Sequence, residues 1–300
     1  MPLQDALRGR VVGKHEFPFG DNAYNCCTAE SRKGNLMDEI SIQRKIEQVA
    51  EILMQHSPCV ALTGAGLSTP SGLPDFRSPG KGLWERLESL PDSASAALTL
   101  QGFKENPEAF YSRFRLFLEK ILSAKPNPAH IALAELEASG YVQTIITMNG
   151  DMLHQKAGSQ RVIEMHGTLV TATCISCYQS DEGMLHWTQY LENGVIPRCH
   201  HCGGIMKPDV ILPGEQLPVK MVMKAKKLIH ESHMILAVGT SFSGGPVMSW
   251  IEKAYEQGKK IVIINLTPTL LDTVADVTVR ADVVNVVPAL AEKLGKIHVR

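Results

Sequence analysis

The sequence has little of what would send a protein to DNA, to a membrane or out of the cell. Its 300 residues carry a formal net charge of −1, so there is no basic excess to neutralise a phosphate backbone. No apolar run reaches the ~20 residues that a bilayer span requires. The opening residues, MPLQDALRGRVVGKHEF, hold no continuous apolar core of the secretory kind. There is no internal repeat and no low-complexity tract, which excludes solenoids and fibrous chains. The seven cysteines are odd in number, and without an export signal they argue against a disulfide framework. The expectation is a cytoplasmic protein with reduced thiols, and with no direct nucleic-acid or membrane partner. Nothing in the pattern reports its oligomeric state.

The chain is 44% hydrophobic and 20% charged, an ordinary globular balance. Its length suits one large domain carrying a smaller module. Residues 1–36 read as an irregular N-terminal arm. Ile42, Ile46, Val49 and Leu53 recur at helical spacing, which predicts a helix over 38–56. Apolar runs at 59–63, 142–147, 161–167, 208–213, 233–240, 259–266 and 276–281 read as strands. Helical stretches are read at 107–123, 127–139, 218–231, 246–257 and 286–295. Residues 170–208 show little periodic pattern. Apolar strands alternating with helices imply an α/β fold, a doubly wound parallel sheet covered on both faces. Ligands of such sheets bind at the carboxyl ends of the strands. Gly64, Asn149, Gly239 and Asn265 all fall there.

Cys174-Ile-Ser-Cys177 and Cys199-His-His-Cys202 form two C-x-x-C pairs separated by 21 residues. Each pair can grip one side of a tetrahedral ion, and four thiolates make a closed structural zinc site with no open position for chemistry. A mixed Cys/His set using His200 or His201 is the alternative. Cys59, in an apolar run, reads as a core residue.

Gly64-Ala65-Gly66 after a strand lets phosphates approach the backbone, or simply makes a tight turn. The third glycine of the dinucleotide fingerprint is missing, which disfavours a plain dehydrogenase. Pro74-Asp75-Phe76-Arg77 sets a carboxylate, an aromatic and a guanidinium in one loop, either functional or a surface ion pair. His166, in Glu164-Met-His-Gly167, titrates near neutral pH and is a candidate general base or a structural histidine. Gly239-Thr240-Ser241 and Asn265 suit phosphate and ribose oxygens, or serve as caps and turns.

Taken together, GAGLSTPSGLPDFRS (64–78), KPNPAH (125–130), TMNGDMLHQKAG (147–158), EMHGTL (164–169), the cysteine pairs, KPDVILPGEQLP (207–218), AVGTS (237–241) and VIIN (262–265) resemble the sirtuin family of NAD-dependent protein deacylases, in the same order. The resemblance spans about residues 38–298. It implies a Rossmann-like NAD-binding domain from 37–76, 140–169 and 209–300. It also implies a small domain made of a helical module, 77–139, and a zinc module, 170–208. By that resemblance Ala65, Gly66, Asp75, Arg77, Thr240, Ser241 and Asn265 contact NAD, and Val283 lies against the adenine. Phe76 covers the reacting ribose. Asn149 and Asp151 line the nicotinamide and ribose pocket, and His166 is the general base.

The implied reaction expels nicotinamide, and the acyl oxygen of a substrate lysine attacks the oxocarbenium-like ribose. His166 then takes a proton from a ribose hydroxyl, which attacks the acyl carbon. Lysine, O-acyl-ADP-ribose and nicotinamide result. Met148, Gly150 and Met152 stand where the family usually has Gln, Ile and Gly. Pro213 and Ser243-Gly244-Gly245 also depart from the family pattern. Phe114 and Phe117 fall near positions where acid-acyl-specific members carry Tyr and Arg, which predicts a neutral acyl group. Two rival readings are ADP-ribosyl transfer or NAD hydrolysis in the same cleft, and a catalytically silent NAD-binding module.

Overall fold

The structure, a computed structural model, describes residues 26–74, 96–242 and 246–298. The chain divides into two compact units, residues 1–41 and 42–300. Described residues of the first unit are helical from Cys26 onward, the start of helix α1 (Cys26–His56). This corrects the expected irregular arm over 26–36. That segment lacks the Ile/Val/Leu stripe that marks the later turns, so helical spacing could not reveal it.

Among the described residues nine strands follow: β1 (Cys59–Thr63), β2 (Val142–Thr147), β3 (Val162–Glu164), β4 (Gly167–Cys174), β5 (Ser180–Glu182), β6 (Met206–Val210), β7 (Met234–Val238), β8 (Lys260–Ile264) and β9 (Val277–Val279). The further helices are α2 (Leu100–Glu105), α3 (Pro107–Ser123), α4 (Pro128–Ala138), α5 (Leu153–Lys156), α6 (Gly183–Asn193), α7 (Val219–Glu231), α8 (Val247–Glu256) and α9 (Val283–His298).

Six strands form one parallel sheet in the order β3-β2-β1-β7-β8-β9. Side chains alternate across β1. Cys59 and Ala61 enter the core beneath α1, α4 and α9, while Val60 and Leu62 enter the core beneath α7 and α8. Burial on both faces is why these strands read as continuous apolar runs. The strand order reverses between β1 and β7, so a crevice opens beyond their carboxyl ends.

A second, antiparallel sheet has the order β5-β4-β6. The run at 208–213 was expected among the parallel strands. Its chain instead forms β6, with Met206 paired to Cys174 of β4. Met206 packs into the small core while Lys207 is only half-buried, the alternation of a strand with one covered face. Helices α2 and α3 share that core. Phe110 stacks on Phe114 at 5.2 Å, and Phe114 meets Trp187 of α6 edge-on at 6.3 Å. Trp187 Nε1 donates to Leu169 O at 2.7 Å.

The chain crosses from the large sheet to the small one at Met165–Gly167. Gly167 has φ +74°, and a Cβ there would lie 1.9 Å from the carbonyl oxygen of Asp209. Only glycine fits. Gly167→Ala will cost about 3 kcal/mol from left-handed strain and overpacking, read as a lowered midpoint in urea unfolding.

Candidate functional site

The two turns at the strand-order reversal touch backbone to backbone. A Cβ on Gly66 would lie 2.9 Å from Gly239 O, and one on Gly239 (φ +61°) would lie 2.3 Å from Leu67 N. A Cβ on Gly64 would likewise lie 2.9 Å from Thr240 Cβ. The glycines therefore let the β1 and β7 turns interlock. Thr240 is half-buried and Ser241 exposed beside them. Asn265 follows β8 at 7% exposure. Its amide donates to Thr267 O at 2.7 Å, which fixes its own turn. Val283 opens α9 and is buried in the core beneath it. Asp75, Phe76 and Arg77 lie outside the described residues, as do Ser243, Gly244 and Gly245.

Beneath the β1 turn lies a buried polar network. Asn149 Nδ2 donates to Gly64 O and reaches Ser68 Oγ, both at 3.1 Å. Ser68 Oγ donates to Asp151 Oδ2 at 2.6 Å, and Asp151 Oδ1 accepts from Leu153 N, the first residue of α5, at 2.9 Å. His154 Nε2 pairs with Thr63 Oγ1 at 2.9 Å, and its ring meets that of His130 at 5.1 Å. Asn127, the cap of α4, donates to Leu67 O at 2.7 Å. Asn149 Oδ1 is buried with no protein partner.

A cavity of about 940 Å³ opens over this network. Ala65, Asn149, Asp151 and His166 line it together. So do Phe114 and Phe117, while Lys120 stands at its rim. Gly64, Gly66, Thr240, Ser241, Asn265 and Val283 are not among its walls. They lie at or beyond the ends of β1, β7 and β8 and at the start of α9. His166 sits between β3 and β4, and its carbonyl accepts from Ile211 N at 2.8 Å. His166 is exposed to the cavity, and partial desolvation by its surroundings lowers its pKa. Gly150 also borders the cavity, and a Cβ there would meet Gly167 O at 3.2 Å. Lys207 pairs with Glu215 at 3.0 Å, and Glu215 accepts from Leu212 N at 2.7 Å, which folds the KPDVILPGE loop over the cavity wall.

In the small sheet the four cysteines converge. Cys174 Sγ lies 3.5 Å from Cys202 Sγ, and Cys177 Sγ 3.6 Å from Cys199 Sγ, with all four sulfurs within 4.8 Å of one another. Zn–S bonds of about 2.3 Å in a tetrahedron place sulfurs about 3.8 Å apart. The four cysteines therefore suit a zinc ion. The backbone N–H of Cys177 points at Cys174 and holds that thiol down to about 6. His200 and His201 are exposed outside this set. Cys59 is fully buried, and burial pushes its thiol up to about 12.

The Sir2 family model matches residues 64–246. The chain belongs to the Sir2 family. An NAD-dependent protein deacetylase of Saccharolobus solfataricus is 40% identical, over 83% of this chain and 96% of its own. NAD-dependent protein deacylase 2 of Archaeoglobus fulgidus is 36% identical, over 86% of this chain and 99% of its own. A mutant Sir2 homologue in complex with ADP-ribose superposes with a TM-score of 0.75 at 32% identity, covering 84% of this chain and 98% of that one. A Sir2 structure bound to a propionylated peptide gives 0.72 at 31% identity, covering 83% and 98%. Among the described residues no helix is long and apolar enough to cross a membrane.

His154 stood out in sequence beside Asn149 and Asp151 as a polar group just past a strand, whereas Ser68, Asn127 and His130 were not singled out. Their signal was only that they stand inside the Sir2-like segments. Burial, with the neighbouring ring of His130 adding to it, pushes His154 down to about 3. Burial pushes His130 to about 4, against the pull of Asp151. Unfolded, each ring titrates near ~6.5. The unfolded chain therefore binds more protons below that pH, and stability falls from pH 6.5 toward 4. By pH 5 each ring accounts for about 2 kcal/mol of lost stability. Urea midpoints measured at pH 7 and pH 5 will show the drop, and His130→Gln will flatten it.

Proposed function

We propose that the chain is an NAD-dependent protein-lysine deacylase that releases nicotinamide and O-acyl-ADP-ribose. Family membership and the relatives named deacetylases and deacylases support this enzymatic reading. The observation that carries it is the meeting of His166, Asn149 and Asp151 at one cavity. His166 serves as general base and acts as the neutral ring, which its lowered pKa favours at neutral pH. Asn149 offers its unpaired Oδ1 to the nicotinamide amide, while its Nδ2 is anchored on the β1 turn. Asp151, held by Ser68 and by the first turn of α5, faces the ribose side. Ala65 and Gly66 leave backbone free at the β1 turn for the diphosphate. Gly64 and Gly239 set that turn's shape, and Thr240, Ser241, Asn265 and Val283 extend the site toward the adenosine end. By the family resemblance Asp75 and Arg77 contact NAD and Phe76 covers the reacting ribose.

Acyl-lysine of a protein enters from the opposite side of the cavity, past Phe114 and Phe117. These aromatics favour a neutral acyl group, acetyl or longer. The four cysteines hold a structural zinc, whose chemistry is to fold the small module. Thiolates kept for a metal fit a cytoplasmic setting.

His166→Ala will lower deacylation by ~10²–10⁴-fold with the unfolding midpoint unchanged. Mass spectrometry of peptide, nicotinamide and O-acetyl-ADP-ribose reads this. Nicotinamide release without loss of the acetyl group would move the reading to ADP-ribosyl transfer or NAD hydrolysis. Acetyl and longer neutral acyl peptides will react faster than succinyl peptides. The reverse order would overturn the neutral-acyl reading and implicate Lys120 at the rim. Chelation of the zinc will shift the emission of Trp187, fully buried in the small module, to the red and stop turnover.

A further inference from the structure

Outside the cleft, three metal-binding side chains converge on the flank of the cysteine module. Asp181 lies in β5, His186 in the first turn of α6, and His200 directly after Cys199. Asp181 Oδ2 lies 3.0 Å from His186 Nε2 and 3.9 Å from His200 Nε2. The two imidazoles face each other with centroids 5.7 Å apart and planes 23° apart. One donor atom from each of the three residues lies within 4.8 Å of the other two. We propose that Asp181, His186 and His200 form a second cation site, which takes a divalent first-row transition ion such as Zn2+.

The donor set is two imidazole nitrogens and one carboxylate oxygen, a borderline N/O set that suits Zn2+, Ni2+ or Cu2+ better than Mg2+ or Ca2+. At metal–ligand distances of about 2.0–2.2 Å, tetrahedral donors stand about 3.3–3.6 Å apart. The distances on Asp181 bracket that range, so closure around an ion needs only small rotations. His200 is free to make them, its side chain 72% exposed, while Asp181, 42% exposed, keeps Oδ1 on Glu182 N at 2.8 Å and offers Oδ2. His186 is the fixed member, its side chain 3% exposed. It is held because its neighbour Trp187 is tied to Leu169 O. The peptide carrying His200 is fixed by Cys199, one of the four converging sulfurs. A hydrogen bond between His186 and Asp181 would account for those two alone. It does not account for a second ring stacked on the first with its Nε2 toward the same carboxylate.

Three protein donors leave the remaining positions to water. Such an ion exchanges more readily than one enclosed by four thiolates. It would tie the corner between β5 and α6 to the loop around Cys199 and Cys202, stiffening the module from outside. This proposal does not depend on the catalytic assignment.

The test uses untagged full-length protein dialysed against buffered micromolar free Zn2+, with zinc per chain measured by plasma mass spectrometry. Wild type will take one equivalent beyond the thiolate site, and so will His201→Ala, which removes the neighbouring exposed imidazole. His200→Ala and Asp181→Asn will lose that equivalent. In both, the four module thiols will still become reactive only after chelation, which shows that the first site and the fold persist. Added zinc will raise the thermal midpoint of wild type and not of His200→Ala. A wild type that stays at one equivalent overturns the site. So does a His200→Ala variant that keeps two, or a His201→Ala variant that loses one.

Discussion

The site depends on a contact made without side chains. Gly66 and Gly239 bring the turns after β1 and β7 into backbone contact, where an added Cβ would collide at 2.9 and 2.3 Å. That contact closes the floor of the crevice where the strand order reverses. It leaves Gly64 O facing Asn149 Nδ2, and the hydrogen bonds of Ser68 and Asp151 follow from there. A larger residue in either turn would separate two strand ends and disturb every polar group hung from them.

The polar network has its own constraint. Two histidines, an aspartate and two asparagines are buried beneath the cavity. Each makes at least one bond to a neighbour in the network or to a strand-end carbonyl. These bonds favour one arrangement of the buried groups, although Asn149 Oδ1, His130 Nε2 and His154 Nδ1 are buried with no protein partner in it. The cost is acid sensitivity: rings that must stay neutral oppose folding once protons are abundant.

Much of the large sheet was legible because its strands are buried on both faces and so are continuously apolar. Val142–Thr147 is bounded as its apolar run is, and α3 spans the stretch that spacing marked. The small module was not legible in the same way. Helix α6 buries Gly183, His186, Trp187 and Tyr190, a helical period written with residues that a hydrophobic count passes over. Strand β6 read as a parallel strand because PDVILP is apolar, and only its pairing with β4 assigns it elsewhere. In the site, residues with chemistry at strand ends could be named from sequence. The groups that hold them, Ser68 and His130, could not, because their importance is burial and partner, which spacing does not encode. Asn265 was legible as a turn residue as well as a ligand candidate, and its bond to Thr267 satisfies the first of these.

Gly167 joins the two sheets at a point where no side chain fits, and His166 is the residue before it. The small module hangs from this crossing and from the return strand β6, whose partner at Gly167 is Val210. His166 therefore stands at the corner that both sheets share, and the same pairings that join them fix this residue beside Asn149 and Asp151 at one cavity.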